Sequence, residues 1–133
     1  MKEHAMSKIP ADLRYSKDHE WVRVEGDIAY VGITDYAQDT LGEVVYVEFP
    51  PVGDEFDAND EIANIESVKA ASAIYNPIAG TVDSINDDLE SSPELINEDS
   101  YANHLYTLKD FDVKALEELL DADAYAEFLK TLD

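Results

Sequence analysis
The chain has 133 residues, enough for one domain with a real core, and carries 31 acidic residues against 9 Lys+Arg, a formal net charge of −22. Such a charge argues against nucleic acid and against anionic membrane surfaces, whose phosphates would repel it. With no cysteine there are no disulfides, no thiolate metal sites and no cysteine catalysis, so any redox sulfur has to come from a cofactor.

No apolar run reaches membrane-spanning length and no secretory signal opens the chain. Residues 1–12 read as a flexible leader and 13–133 as a single domain. The expected location is the cytoplasm, with a processed mitochondrial matrix protein as the other reading. A monomer is expected.

In chain order, 13–16 and 20–24 read as short strands, the second closed by the turn signal Glu25-Gly26-Asp27. Residues 27–33 form the next strand. Thr34 offers an N-cap hydroxyl to a short helix that Gly42 stops. Residues 43–49 read as a strong strand, with Val45, Val47 and Phe49 on one face and Val44 and Tyr46 on the other; two apolar faces suggest an interior position. Pro50-Pro51-Val52-Gly53-Asp54 ends it. A short strand from Phe56 leads into two alternating apolar segments, 60–65 and 71–75, which read as a hairpin with a tight connection.

Residues 78–85 form a further strand, in which Gly80 suggests close backbone approach. The acidic stretch 86–92 lacks calcium-loop spacing and reads as a solvated loop. After a last strand at 105–108, Asp112 caps a helical segment over 112–131, with Val113, Leu116, Leu120, Ala124 and Phe128 as its apolar stripe and a break expected near Asp121-Ala122-Asp123. Many short strands with helix mainly at the end indicate a mainly β sandwich or flattened barrel of antiparallel strands.

One residue stands out chemically. Between Arg23 and Lys109 the only cationic side chain other than histidine is Lys69, at or beside the hairpin tip. A Schiff-base or general-base lysine needs burial or a neighbouring cation, and the adjacent Glu66 works the other way. An exposed amine suits modification instead. From spacing alone, such a lysine is ordinarily a solubilising turn charge. His4, His19 and His104 show no ligand-pair spacing, so no metal site is expected. No nucleophile elbow or phosphate loop is present, which fits a carrier whose chemistry belongs to its cofactor.

Glu66-Ser67-Val68-Lys69-Ala70-Ala71-Ser72 resembles the lipoyl-attachment motif of the glycine cleavage system H proteins. His19-Glu20-Trp21-Val22, Val31-Gly32-Ile33-Thr34-Asp35-Tyr36-Ala37-Gln38, Leu41-Gly42-Glu43-Val44-Val45-Tyr46-Val47-Glu48, Asn76-Pro77-Ile78-Ala79-Gly80 and Pro93-Glu94-Leu95-Ile96-Asn97 are similar to that family's segments, in the same order. The resemblance runs from about Leu13 to the end. It implies a lipoyl-domain fold, a barrel-sandwich hybrid of two antiparallel sheets with a short internal helix and a C-terminal helical tail.

It also implies a carrier rather than an enzyme, with lipoate covalently bound to Lys69. The arm would carry the aminomethyl group of glycine between a pyridoxal-phosphate glycine decarboxylase (P protein), a tetrahydrofolate-dependent aminomethyltransferase (T protein) and dihydrolipoamide dehydrogenase (L protein). Lipoate-attaching enzymes are further implied partners. Glu20 matches the family residue that contacts the amine of the docked arm. Glu66 and Glu43 match positions read by the attaching enzyme, Glu66 ranking first for its closeness to Lys69. His19 and Trp21 are read as packing residues.

The chain departs from the pattern at Ala73, where the family commonly has an acid, and at Ser100-Tyr101-Ala102-Asn103-His104, a loop expected to flank the arm's cleft. The alternatives are an H-like protein that relays lipoate without glycine cleavage, a biotinyl or lipoyl carrier of another complex, and an unmodified acidic interaction module.

Overall fold
The structure is a computed structural model that describes residues 8–132. Residues 1–7 of the expected leader, and residue 133, lie outside the described residues. Lys8 to Pro10 run against the body: the Lys8 amide donates to Asp35 at 3.1 Å, and Tyr101 Oη donates to the Lys8 carbonyl at 2.6 Å.

Among the described residues, nine strands form two antiparallel sheets. The larger has six strands, in the order β1 (Arg14–Tyr15), β2 (Glu20–Glu25), β3 (Ile28–Ile33), β9 (Tyr106–Lys109), β8 (Gly80–Ile85) and β5 (Glu55–Phe56). The smaller has three, in the order β4 (Val44–Glu48), β6 (Glu61–Ser67) and β7 (Ala71–Tyr75). The sheets do not close into a barrel, and they enclose a core in which Val31, Ile65, Ile78, Val82, Leu105 and Leu108 are fully buried. Glu25 pairs with Ile28 across a two-residue turn with Gly26 at φ 62°, the positive φ that primed hairpin turns require.

Helix α1 (Asp35–Leu41) starts where Thr34 Oγ1 accepts the Ala37 amide at 3.2 Å and stops at Gly42, φ 84°. As expected, a Cβ on Gly80 would press on Leu108, Lys109 and Phe111 at 3.2–3.3 Å.

Three sequence expectations need correction. β4 is an edge strand, and a bulge between Val44 and Tyr46 breaks its alternation, so Val44 and Val47 are buried while Val45 and Tyr46 face solvent. The stretch 86–92 is not all loop: Leu89, fully buried, anchors the one-turn helix α2 (Asp88–Ser91), and Ile96 does the same for α3 (Leu95–Glu98). The C-terminal segment divides into two helices as expected, α4 (Val113–Glu118) and α5 (Ala122–Lys130), parted at Leu119–Asp121, where Leu120 bridges to Tyr15, but the stripe of Val113, Leu116, Leu120, Ala124 and Phe128 is not its buried face. That break resets the helical phase. The residues α5 buries are Tyr125 and Leu129, in a second cluster with Leu13, Tyr15 and Trp21, whereas Val113 is 59% exposed.

Candidate functional site: a lysine hairpin beside an apolar cleft
Strands β6 and β7 are joined by Val68-Lys69-Ala70. Ser67 ties this connection together. Its amide donates to the Ala70 carbonyl at 2.7 Å, and its hydroxyl accepts the amides of Lys69 (3.4 Å) and Ala70 (3.1 Å). The Val68 amide donates to the Glu43 carbonyl at 2.9 Å, which pins the tip to the α1–β4 corner.

Lys69 is exposed, and among the described residues its Nζ makes no ion pair or hydrogen bond. Its stem lies over Gly42, where a Cβ would sit 3.2 Å from Lys69 Cε. Glycine there serves twice, for the positive φ and for the room it leaves the lysine. The corner beneath is set by Asn97, whose Nδ2 donates to Gln38 Oε1 (2.9 Å) and the Gly42 carbonyl (2.8 Å) and whose Oδ1 accepts the Val44 amide (2.8 Å).

A cleft of ≈ 400 Å³ begins at the residue after the lysine. The chain from Ala70 to Ile74 forms one wall, and the facing side brings Asp18, His19 and Ile33 together with Tyr36, Ala37, Thr40 and Leu41 of α1. β7 is the outer strand of its sheet, so the wall is a strand edge. The lining is mostly apolar, with Asp18 its one carboxylate.

The other acids considered fall in three different settings. Glu20 is not a surface acid: it is 1% exposed, pairs with Ile33 across β2–β3, and sits behind the cleft rather than in its lining. Its carboxylate accepts the Ser16 hydroxyl at 2.5 Å and the Tyr75 amide at 3.4 Å. Burial pushes it up to about 7, against the pull of those two hydrogen bonds. Glu66 is exposed, cross-strand from Tyr46 and Ala71. Glu43 is exposed and holds the hairpin through its carbonyl; its side chain borders a second, shallower hollow of ≈ 390 Å³ with Asp39, Glu94 and Glu98.

Ala73 lines the cleft without a charge. The 100–104 loop does not flank it: Ser100 accepts Trp21 Nε1 at 3.1 Å on the opposite side of β2, and Tyr101 packs near the Trp21 ring. Trp21 is a packing residue, fully buried over Gly32, where a Cβ would meet its indole at 2.6 Å.

His19 was expected only to pack, but it lines the cleft, with φ 71° and with Nδ1 2.8 Å from Tyr125 Oη. Asn97 and Tyr125 had no role in the sequence reading. Asn97 stood inside a motif, and Tyr125 fell off the stripe drawn through Val113, Leu116, Leu120, Ala124 and Phe128.

A lysine amine held out on a tight hairpin beside an apolar cleft, on a frame of two small antiparallel sheets, defines a group-carrying domain. The chain belongs to the glycine cleavage H-protein family, whose model matches residues 13–132. The glycine cleavage system H protein of Syntrophomonas wolfei is 61% identical over 98 residues, which is 74% of this chain and 75% of that protein. That of Alkaliphilus oremlandii is 51% identical over 121 residues, 91% of this chain and 95% of that protein. The crystal structure of a glycine cleavage system H protein from Mycobacterium marinum shares the fold with a TM-score of 0.81 at 35% identity, covering 90% of this chain and 97% of that one.

Proposed function
We propose that the protein is the lipoyl carrier of a glycine cleavage system, with lipoate amide-linked to Lys69 Nζ. The observation that carries this reading is the uncommitted amine at the hairpin tip, with an apolar cleft opening one residue away. The fit is chemical: a long apolar acyl arm needs an accessible nitrogen at one end and a greasy slot within reach. Lipoate in that linkage would supply a dithiolane whose opening gives a sulfur to carry the aminomethyl group of glycine, the dithiol left after its transfer needing the flavin dehydrogenase as oxidant.

The protein's own residues do the holding. Ser67 and the Glu43 carbonyl fix the tip, and Gly42 gives the lysine stem a path. Glu66 and Glu43 present acids to the attaching enzyme. Ala71, Ala73, Tyr36 and Leu41 shield the docked arm from water. Glu20 acts from behind the wall: in its ionised form it favours a cationic cargo, and it holds the β7 edge at Tyr75.

Tethering replaces free diffusion by effective concentration as the arm visits the decarboxylase, the aminomethyltransferase and the dihydrolipoamide dehydrogenase. The H proteins of Syntrophomonas wolfei and Alkaliphilus oremlandii are bacterial, and the bacterial cytoplasm is where we place this cycle.

The test is intact mass after co-expression with a lipoate-attaching enzyme, followed by glycine–carbon dioxide exchange with the decarboxylase. A lipoyl increment mapped to Lys69 and exchange that vanishes in Lys69→Arg are expected. An increment elsewhere, or exchange by Lys69→Arg, overturns the reading. Ala73 favours a second reading, relay of lipoate without glycine cleavage, since the cleft lacks a charge there. Lipoylated protein that supports no exchange, yet passes its acyl group to another carrier domain, would select that one.

A further inference from the structure
Behind the cleft three side chains form a hydrogen-bonded line. Thr34 Oγ1 lies 2.8 Å from Tyr125 Oη, and Tyr125 Oη lies 2.8 Å from His19 Nδ1. Each hydroxyl has one proton to give. Thr34 is fully buried, and its other partner, the Ala37 amide, is a donor. Among the described residues the Thr34 proton therefore has one acceptor, Tyr125 Oη. Tyr125 must then give its own proton to His19 Nδ1. Run the other way, the line strands a buried hydroxyl proton with no acceptor.

We propose that His19 is a positioning residue of the arm cleft, fixed by this relay from Thr34 through Tyr125 as the neutral Nε2–H tautomer, so that it offers the arm a hydrogen-bond donor and no charge. Three further observations agree. His19 lines the cleft, and among the described residues its Nε2 has no partner, nor is it sealed from solvent. Its backbone is held in the left-handed region at φ 71° by the turn in which the His19 amide donates to the Ser16 carbonyl and the His19 carbonyl accepts the Thr34 amide, a strained conformation of the kind that clusters at working sites. Its ring is fixed against Tyr36 (centroids 4.6 Å apart) and Phe128 (5.9 Å).

Protonating His19 would put a second donor against Tyr125 Oη and reverse the line. Burial lowers its pKa in the same direction, with Asp18 opposing. A donor of this kind addresses the acceptor atoms of a tethered acyl arm, its linkage carbonyl and its sulfurs. A cationic cargo falls instead to the carboxylates, Asp18 in the same lining and Glu20 behind it.

The inference rests on the arm being carried at Lys69, but its first test does not. Nitrogen-15 NMR of histidine-labelled protein, unmodified and lipoylated, reads the tautomer directly. A pyrrole-type Nε2 and a pyridine-type Nδ1 at neutral pH are expected. An Nδ1–H form, an even mixture or an imidazolium overturns the proposal, whatever the mass of the chain.

The second test compares Tyr125→Phe, Thr34→Val and Thr34→Ser in lipoylated protein loaded by the decarboxylase. Tyr125→Phe and Thr34→Val should lose the tautomer bias and release the carried group several-fold faster, and Thr34→Ser should restore both. Variants that lose the bias yet keep the wild-type release rate would show that His19 does not position the arm. Absence of any lipoyl increment on Lys69 would instead sink the carrier reading and leave the tautomer result standing.

Discussion

Glu20 shows how one residue reports on the cleft through pH. Burial raises its carboxyl from an ordinary 4.5 to about 7. The folded protein therefore binds a proton that the unfolded chain has released between those two values. Stability falls as pH rises through that window and is greatest below it. A shift of this size is worth on the order of 1–3 kcal/mol at pH 8. Glu20→Gln keeps a neutral partner for Ser16 and Tyr75, so its chemical denaturation midpoint should match wild type near pH 4.5 and exceed it at pH 8. The same variant should release the carried group faster, because the buried negative charge is gone. A midpoint difference that does not change with pH would contradict the buried-carboxylate account. The sequence marked Glu20 by resemblance, but its burial was not legible. A strand is expected to bury alternate residues, whereas Glu20, Trp21 and Val22 are all buried, because the second cluster covers the face of β2 opposite the main core.

At the scale of elements, the lysine hairpin works because a different corner holds it. Asn97 of α3 makes three hydrogen bonds that lock α1 to β4, and Val68 leans on the carbonyl of Glu43 in that corner. Asn97→Ala should cost about 2 kcal/mol in urea unfolding, since it leaves part-buried backbone groups unpaired. It should also slow lipoylation of Lys69 under limiting ligase by loosening the tip, without touching the lysine. Full stability with wild-type lipoylation would show that the corner does not steer the hairpin.

The hairpin itself was readable, because two short apolar runs flank 68–70, although nothing local announced the register shift between Glu61 and Ala63, where Ile62 and Ala63 are both buried. α3 was not, since four residues are too few to show a helical period and its anchor is one isoleucine. β4 was misplaced for a related reason. Its apolar content fitted an interior strand, but the bulge sends Val45 and Tyr46 outward together on an edge, and no local pattern announces a bulge. The tail was half legible: Asp112 caps as expected, accepting the amides of Lys114 and Ala115, and the break before α5 falls near the expected place, but the Leu120–Tyr15 bridge resets the phase and turns Tyr125 inward, which the stripe did not show.

For the whole molecule, charge is the governing term, and it acts on stability and on encounter with opposite signs. The chain has 31 acids and 9 Lys+Arg. Among the described residues the ion pairs are Arg23–Glu25 at 2.8 Å and Lys130–Glu127 at 3.3 Å, both at the surface, where such pairs stabilise little. Among the described residues most carboxylates therefore have no ion-pair partner. Raising salt from about 10 mM to about 150 mM shortens the screening length from about 30 Å to about 8 Å. The self-repulsion of the compact state should drop, and Tm should rise by several degrees in calorimetry, as a gain of about 1 kcal/mol produces in a domain of this size. Over the same range, association with a partner that offers a basic docking surface should slow by about tenfold or more, because long-range steering is screened. Stopped-flow association with the decarboxylase reads that rate. Stability rising while association slows is the signature of a carrier whose charge serves its encounters at the expense of its own fold. A Tm that falls with salt, or an association rate indifferent to it, would place the origin of affinity elsewhere, in short-range apolar contacts such as Tyr46 and Val68 beside the lysine, which stand 53% and 66% exposed.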